Sequence, residues 1–212
     1  TLFPYTTLFR SALSESIGIG KGSVTVPDIE HADLIVIAGQ NPGTNHPRML
    51  TVLERAKANG AKIIAVNPLP EAGLIRFKNP QTVRGVAGGG TPIADEFVQI
   101  RLGGDMALFQ GLGKLLLDGG HEDRDFIENH CHGFDEYAAH MRAVDIDTVL
   151  GATGVSRGQL DRALALATAA QQAAAAAMDQ VPFGARADER ALVAARIGEV
   201  FAQGRSDVEA DL

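Results

Sequence analysis

The apolar residues in the middle of the chain fall into short unbroken runs divided by stretches of helical spacing. Leu34-Ile35-Val36-Ile37-Ala38 and Lys62-Ile63-Ile64-Ala65-Val66 are short, rich in β-branched residues and bounded by turn formers, the pattern of strands covered on both faces. Between them, 47–59 sets Met49, Leu50, Leu53 and Ala56 on one side of a helix, and Gly60 stands in the C′ position that ends it. Strand, helix and strand in that order predict a right-handed βαβ unit. Phe97-Val98-Gln99-Ile100-Arg101 predicts a third strand, and after Gly103-Gly104-Asp105 a strongly apolar helix spans 106–117. Short helices are predicted over 126–131, 134–143 and 146–150. Ser156 is placed to cap a longer one that reaches about Gln180, alanine-rich from 163 to 177 and with little bulk for packing. The segment 28–33 reads as a polar lead-in, 69–90 as an irregular Gly/Pro-rich loop, and 188–202 as a further amphipathic helix.

This alternation predicts an α/β fold: a Rossmann-like parallel sheet with flanking helices, plus a helical C-terminal extension. All three strands run into turns of small or amide-bearing residues, and in a parallel sheet such turns gather at the carboxyl edge, where ligands bind. The turn after the first strand, Gly39-Gln40-Asn41-Pro42-Gly43-Thr44-Asn45-His46-Pro47, is the most particular. Gly39 permits close backbone approach to an anion, the Asn41 amide both donates and accepts, and Pro47 suits a first helical turn. Thr44 or Asn45 caps the following helix or touches ligand, with near-equal weight. Asn67 closes the second strand, where nucleotide-binding folds often carry an acid for ribose hydroxyls. Asp105 either accepts two bonds from a guanine edge or caps the 106 helix.

Composition narrows the function classes. A chain of 212 residues with 45% hydrophobic content can bury one sizeable core. Its formal net charge of −7, without a basic tract, argues against nucleic acid or anionic lipid as a partner. No run approaches the roughly 18 apolar residues of a membrane span. The single cysteine, Cys131, leaves no internal disulfide and no four-cysteine metal site, and a reducing, cytoplasmic setting fits it.

Two tempting motifs are weak. Gly18-Ile19-Gly20-Lys21-Gly22-Ser23 fails the phosphate-loop pattern, because Gly22 separates Lys21 from the hydroxyl, and fails G-x-G-x-x-G because position 23 is Ser. A flexible entry loop is the better reading, and a generic nicotinamide-binding domain loses its fingerprint. His130-Cys131-His132 lacks metal-ligand spacing and reads as a helix terminus.

ADLIVIAGQNPGTNHPRM, GAKIIAVNPLPEAGLIRFKNPQ and TPIADEFVQIRLGGDMALFQGLGKLLL, in that order and at matching intervals, resemble the molybdopterin-dependent oxidoreductases of the dimethyl-sulfoxide-reductase type, most of all the formate-dehydrogenase-like alpha subunits. The resemblance runs from about Ala12 to about Arg162. It implies a domain that binds molybdopterin guanine dinucleotide, and with it molybdenum, at the carboxyl ends of its strands. Gly39, Asn41, Pro42 and His46 would then lie near the pterin or pyrophosphate, Asn67 and Pro68 near the guanosine, and Gly103 and Asp105 near the guanine. It further implies a small substrate, formate among the candidates, and an electron acceptor reached through a longer parent chain. In that family an iron–sulfur cluster is often held in a preceding segment. Asn67 departs from the acid of many relatives, and no residue here is assigned as catalytic or as a metal ligand.

On this reading the chain is a fragment, inactive alone. Residues 1–11 resemble translated adapter sequence or a disordered terminus, 12–155 form the cofactor-binding portion, and 156–212 form an Ala-rich helical tail that does not match the family. The competing expectation is a non-catalytic nucleotide-binding or structural subunit of a redox complex.

Overall fold

The computed structural model describes residues 24–180, so the adapter-like start, the 18–23 motif and the helix expected over 188–202 lie outside the described residues. Within the compact unit Val26–Ala175, the elements in order are α1 (Val26–Glu30), β1 (Leu34–Ala38), α2 (Pro42–Asn45), α3 (Pro47–Ala58), β2 (Lys62–Val66), α4 (Ala72–Ile75), α5 (Val83–Val86) and β3 (Glu96–Val98). They are followed by α6 (Asp105–Asp118), α7 (Arg124–His130), α8 (Phe134–Arg142), α9 (Ile146–Thr153) and the start of α10 (Arg157–Gln180).

The three strands form a parallel sheet in the order β1-β2-β3. Leu34 pairs with Lys62 at one end of the β1–β2 ladder and Ala38 with Val66 at the other, while Ile64 to Val66 pair with Glu96 to Val98. Because side chains alternate across a strand, the sheet divides its apolar residues between two cores. On one face Ile37, Ile63 and Ala65 pack with Leu50 and Leu53 of α3, Leu74 of α4 and Ile93. On the other, Ile64, Val66 and Val98 pack with Leu108 of α6, with Val155 just before α10 and with Leu160 and Ala163 at its start. Coverage of both faces, which the unbroken apolar runs predicted for β1 and β2, holds for β2; in β1, at the sheet edge, Val36 and Ala38 are exposed.

Gly60 follows α3 with φ of +106°, as its C′ position requires. β3 is shorter than the pattern suggested. Beyond Val98 the chain leaves the ladder: the Arg101 N–H donates to the Thr153 carbonyl at 2.8 Å, and it is the Gln99 side-chain Nε2 that donates to the Pro68 carbonyl, also at 2.8 Å. The supposed loop 69–90 contains α4 and α5 and is fastened to α3. Glu54 accepts there from Asn79 Nδ2 and from Thr91 Oγ1, each at 2.7 Å. Nor is α10 without packing bulk, since Leu160 is fully buried and Ala163 nearly so. Arg162, in the same helix, donates from Nε and Nη2 to the two Glu96 carboxylate oxygens, each at 2.9 Å.

Of the short helices after α6, α7 and α9 start on an Asp cap, while α8 starts on Gly133 without a side-chain bond. Asp145 caps α9, accepting from the Thr148 N–H at 2.8 Å and the Thr148 hydroxyl at 2.6 Å. These bonds, the hydroxyl's first, hold its carboxyl below the usual Asp range. A carboxyl depressed on folding adds stability above its unfolded pKa, and this is lost as pH falls through the folded value. Asn caps as well as Asp but does not titrate. Asp145→Asn is therefore expected to match wild type in urea at pH 7 and to lose less stability on acidification; parallel acid limbs for the two proteins would refute this.

Candidate functional site at the carboxyl edge of the sheet

The turns after β1, β2 and β3 come together at one edge. The ladder continues one bond past each pair of strands: the Gly39 N–H donates to the Val66 carbonyl at 2.9 Å, and the Asn67 N–H to the Val98 carbonyl at 3.2 Å. The Gln99–Pro68 bond ties the second turn to the third.

In the first turn, Gly39 has φ of +67°, and a Cβ built on it would meet nothing within 4 Å. Its backbone is therefore open to an approaching group, in a conformation that only glycine adopts without strain. Asn41 is half-buried and is the N-cap of α2, its Oδ1 accepting from the Thr44 N–H at 3.2 Å. Its NH2 donates to the Glu71 carboxylate. Pro42 opens α2 and is buried. His46 is exposed, with Nδ1 3.5 Å from Gln40 Nε2, and is the residue before α3. Neither Thr44 nor Asn45 caps that helix; His46 holds the cap position without a side-chain bond. Periodicity could not reveal α2, because a four-residue helix has no period to read. Its Asn-Pro start is a cap followed by an N1 proline, and was the available signal.

In the second turn, Asn67 is largely buried and its Oδ1 accepts from the Leu69 N–H at 3.3 Å. With Oδ1 so engaged, the polar group that Asn67 has left to offer is its NH2, a donor where an acid would accept. Pro68 is half-buried beside it. In the third turn, Gly103 has φ of +80° and open space at its Cβ position. Gly104, not Asp105, is the N-cap of α6, and no side chain caps this helix. Asp105 is the first helical residue and is exposed, so its carboxylate has no capping duty.

The turn with Gly39, Asn41, Pro42 and His46, the turn with Asn67 and Pro68, and the turn with Gly103 and Asp105 thus each follow a strand at the same edge of the sheet. Two helices longer than ten residues, α3 and α6, begin there without a side-chain cap, which leaves their first N–H groups and dipoles toward that edge. Glu71 was the residue missed by sequence reasoning, since nothing in its spacing marks it. A groove of about 650 Å³ lies at the opposite, amino end of the strands, lined by Glu54, Lys57, Thr82, Thr91 and Asp95. Its charges are taken up internally, Lys57 by Asp95 at 2.7 Å and Glu54 by Asn79 and Thr91.

In α7 the His130 ring lies 5.0 Å from that of Phe126, and Cys131 is exposed after this helix. Among the described residues no group of three or more His, Cys, Asp or Glu is placed to hold a metal ion, and no helix is long and apolar enough to cross a membrane.

The chain matches no family model. It is 68% identical over 168 residues to an uncharacterized oxidoreductase of Mycobacterium tuberculosis, a match covering 76% of this chain and 22% of the relative. It is 28% identical over 164 residues to formate dehydrogenase H of Escherichia coli, covering 77% of this chain and 21% of that protein. Among solved structures, acetylene hydratase from Pelobacter acetylenicus shares the fold with a TM-score of 0.52 and 22% identity, over 76% of this chain and 22% of that one. The chain therefore spans about a fifth of the length of the curated relatives it matches.

Proposed function

Since the chain belongs to the molybdopterin-dependent oxidoreductases of the dimethyl-sulfoxide-reductase type, we propose that the carboxyl edge of its sheet holds the guanine dinucleotide of the molybdopterin cofactor. The observation that carries this is the meeting of the three motif-bearing turns at one sheet edge, the place where α/β folds bind nucleotides. The residues there fit such a group. Gly39 and Gly103 present open backbone, which suits close approach of a pyrophosphate or a base. The uncapped starts of α3 and α6 favour negative charge. The Asp105 carboxylate suits the two adjacent donors of a guanine edge.

In this reading Gly39 and His46 meet the pterin or pyrophosphate, with Asn41 and Pro42 shaping the turn that presents them. Asn67 and Pro68 border the guanosine, and Gly103 and Asp105 the guanine. When bound, the cofactor supplies two-electron redox chemistry at molybdenum, and this chain supplies binding and orientation. Formate dehydrogenase H among the relatives supports formate as substrate, with an electron acceptor reached through the rest of a longer protein. A reducing cytoplasm suits its one cysteine.

Calorimetric titration of the chain with GDP and with ADP tests the reading, because adenine lacks the donor pair that Asp105 would accept. GDP is expected to bind about tenfold or more tighter than ADP, the discrimination of a site built around such hydrogen bonds. Equal affinities, or no binding of GDP, would overturn the assignment. Molybdenum content of the full-length protein separates the enzyme from a structural subunit, which would hold none.

A further inference from the structure

Glu71 is the N-cap of α4, yet its side chain makes no bond to that helix. It reaches across to the turn after β1 and accepts from the Asn41 NH2, while Asn41 Oδ1 accepts from the Thr44 N–H. The two partners dictate how the amide faces: flipped, it would set NH2 against N–H and oxygen against carboxylate. The backbones of the same two turns also touch. A Cβ on Gly73 would lie 3.2 Å from Gly43 Cα and 3.1 Å from Leu50 Cδ1. The first and second turns are therefore joined twice, by backbone contact and by the Glu71–Asn41 bond. A carboxylate beside a turn that receives an anion is unfavourable by charge alone, so its presence calls for another duty.

We infer that Glu71 is a positioning residue for the ligand turn, acting through Asn41 to hold 39–46 in the conformation that meets the cofactor. The inference rests on the reading above for its ligand and on the observed bonds for its geometry. Glu71 needs no contact with the cofactor for this. It fixes the amide that caps α2, and α2 connects Gly39 on one side to His46 on the other.

The test separates the cap from the link. Asn41→Asp keeps the cap, because Asp accepts from an N–H as well as Asn does, but opposes two carboxylates. It is expected to weaken GDP binding ~10-fold and to speed hydrogen exchange at the Thr44 amide. Adding Glu71→Gln gives the new carboxylate a donor, and the double variant is expected to return to within about threefold of wild type in affinity, with Thr44 protection restored. Glu71→Ala alone should behave like Asn41→Asp; if it does not fold, the rescue pair decides. An Asn41→Asp variant that binds like wild type, or that Glu71→Gln fails to rescue, overturns the inference. If wild type binds no GDP, the cofactor reading falls and Thr44 exchange judges the link: restored protection in the double variant upholds it, and unchanged protection throughout overturns it.

Discussion

Gly39→Val is expected to cost on the order of a hundredfold in GDP affinity while leaving the protein folded. At φ of +67° a β-branched residue is strained by about 1–3 kcal/mol, and the turn relieves this by leaving its conformation. A Cβ there has open space, so no buried neighbour is displaced and the core is spared. What changes is the backbone path between the last rung of β1, where the Gly39 N–H meets the Val66 carbonyl, and the Asn41 cap. Gly60→Val is the control: it is also at positive φ with open space, but precedes β2 at the opposite end of the sheet. Its melting temperature should fall by a similar amount with GDP affinity intact. Equal loss of affinity in both variants would mean that the carboxyl edge is not where the nucleotide sits.

Leu53→Ala should remove about 3 kcal/mol of stability in urea denaturation at pH 7, with an unchanged m-value. Leu53 has no exposure and lies in the core between α3 and the sheet, among Leu50, Ile63, Leu74 and Ile93. Those neighbours belong to separate elements, so they cannot all close on the void, and the cavity cost adds to the lost transfer energy. Phe109→Ala, at a side chain 45% exposed on α6, should change stability far less. A Leu53→Ala loss below about 1 kcal/mol would show that the α3 face is loosely packed.

The elements legible in the sequence are those with a period long enough to read. β1, α3 and β2 stand where the apolar runs and Gly60 placed them; burial on both sheet faces writes β2 as an unbroken run, while β1 is apolar throughout though only Ile37 is fully covered. What was not legible depends on distant partners. α1 is a five-residue helix, too short to show a period, held by Glu30, whose carboxylate meets Arg55 at 3.0 Å and whose carbonyl accepts from Asn59 at 2.8 Å. β3 stops early because the Arg101 N–H finds its acceptor at the end of α9, more than fifty residues on. At the site, turn chemistry announced Gly39, Asn67 and Gly103 by residue type. The duties of the side chains were hidden: Asn41 reads equally as ligand contact or cap until Glu71 and Thr44 are seen on either end of its amide.

Strands that neighbour in the sheet also neighbour in the chain, so the order β1-β2-β3 is the order of synthesis. Among the described residues, β2 and β3 each emerge from the ribosome to find a partner already made, and neither has to insert between two earlier strands. One side is finished early, as α3 lies between β1 and β2 and covers their shared face at once. Ile64 and Val66 on the reverse side stay bare until α6 and α10 follow. For that interval the nascent chain shows a half-dressed sheet, and it is then that a chaperone has most to hold.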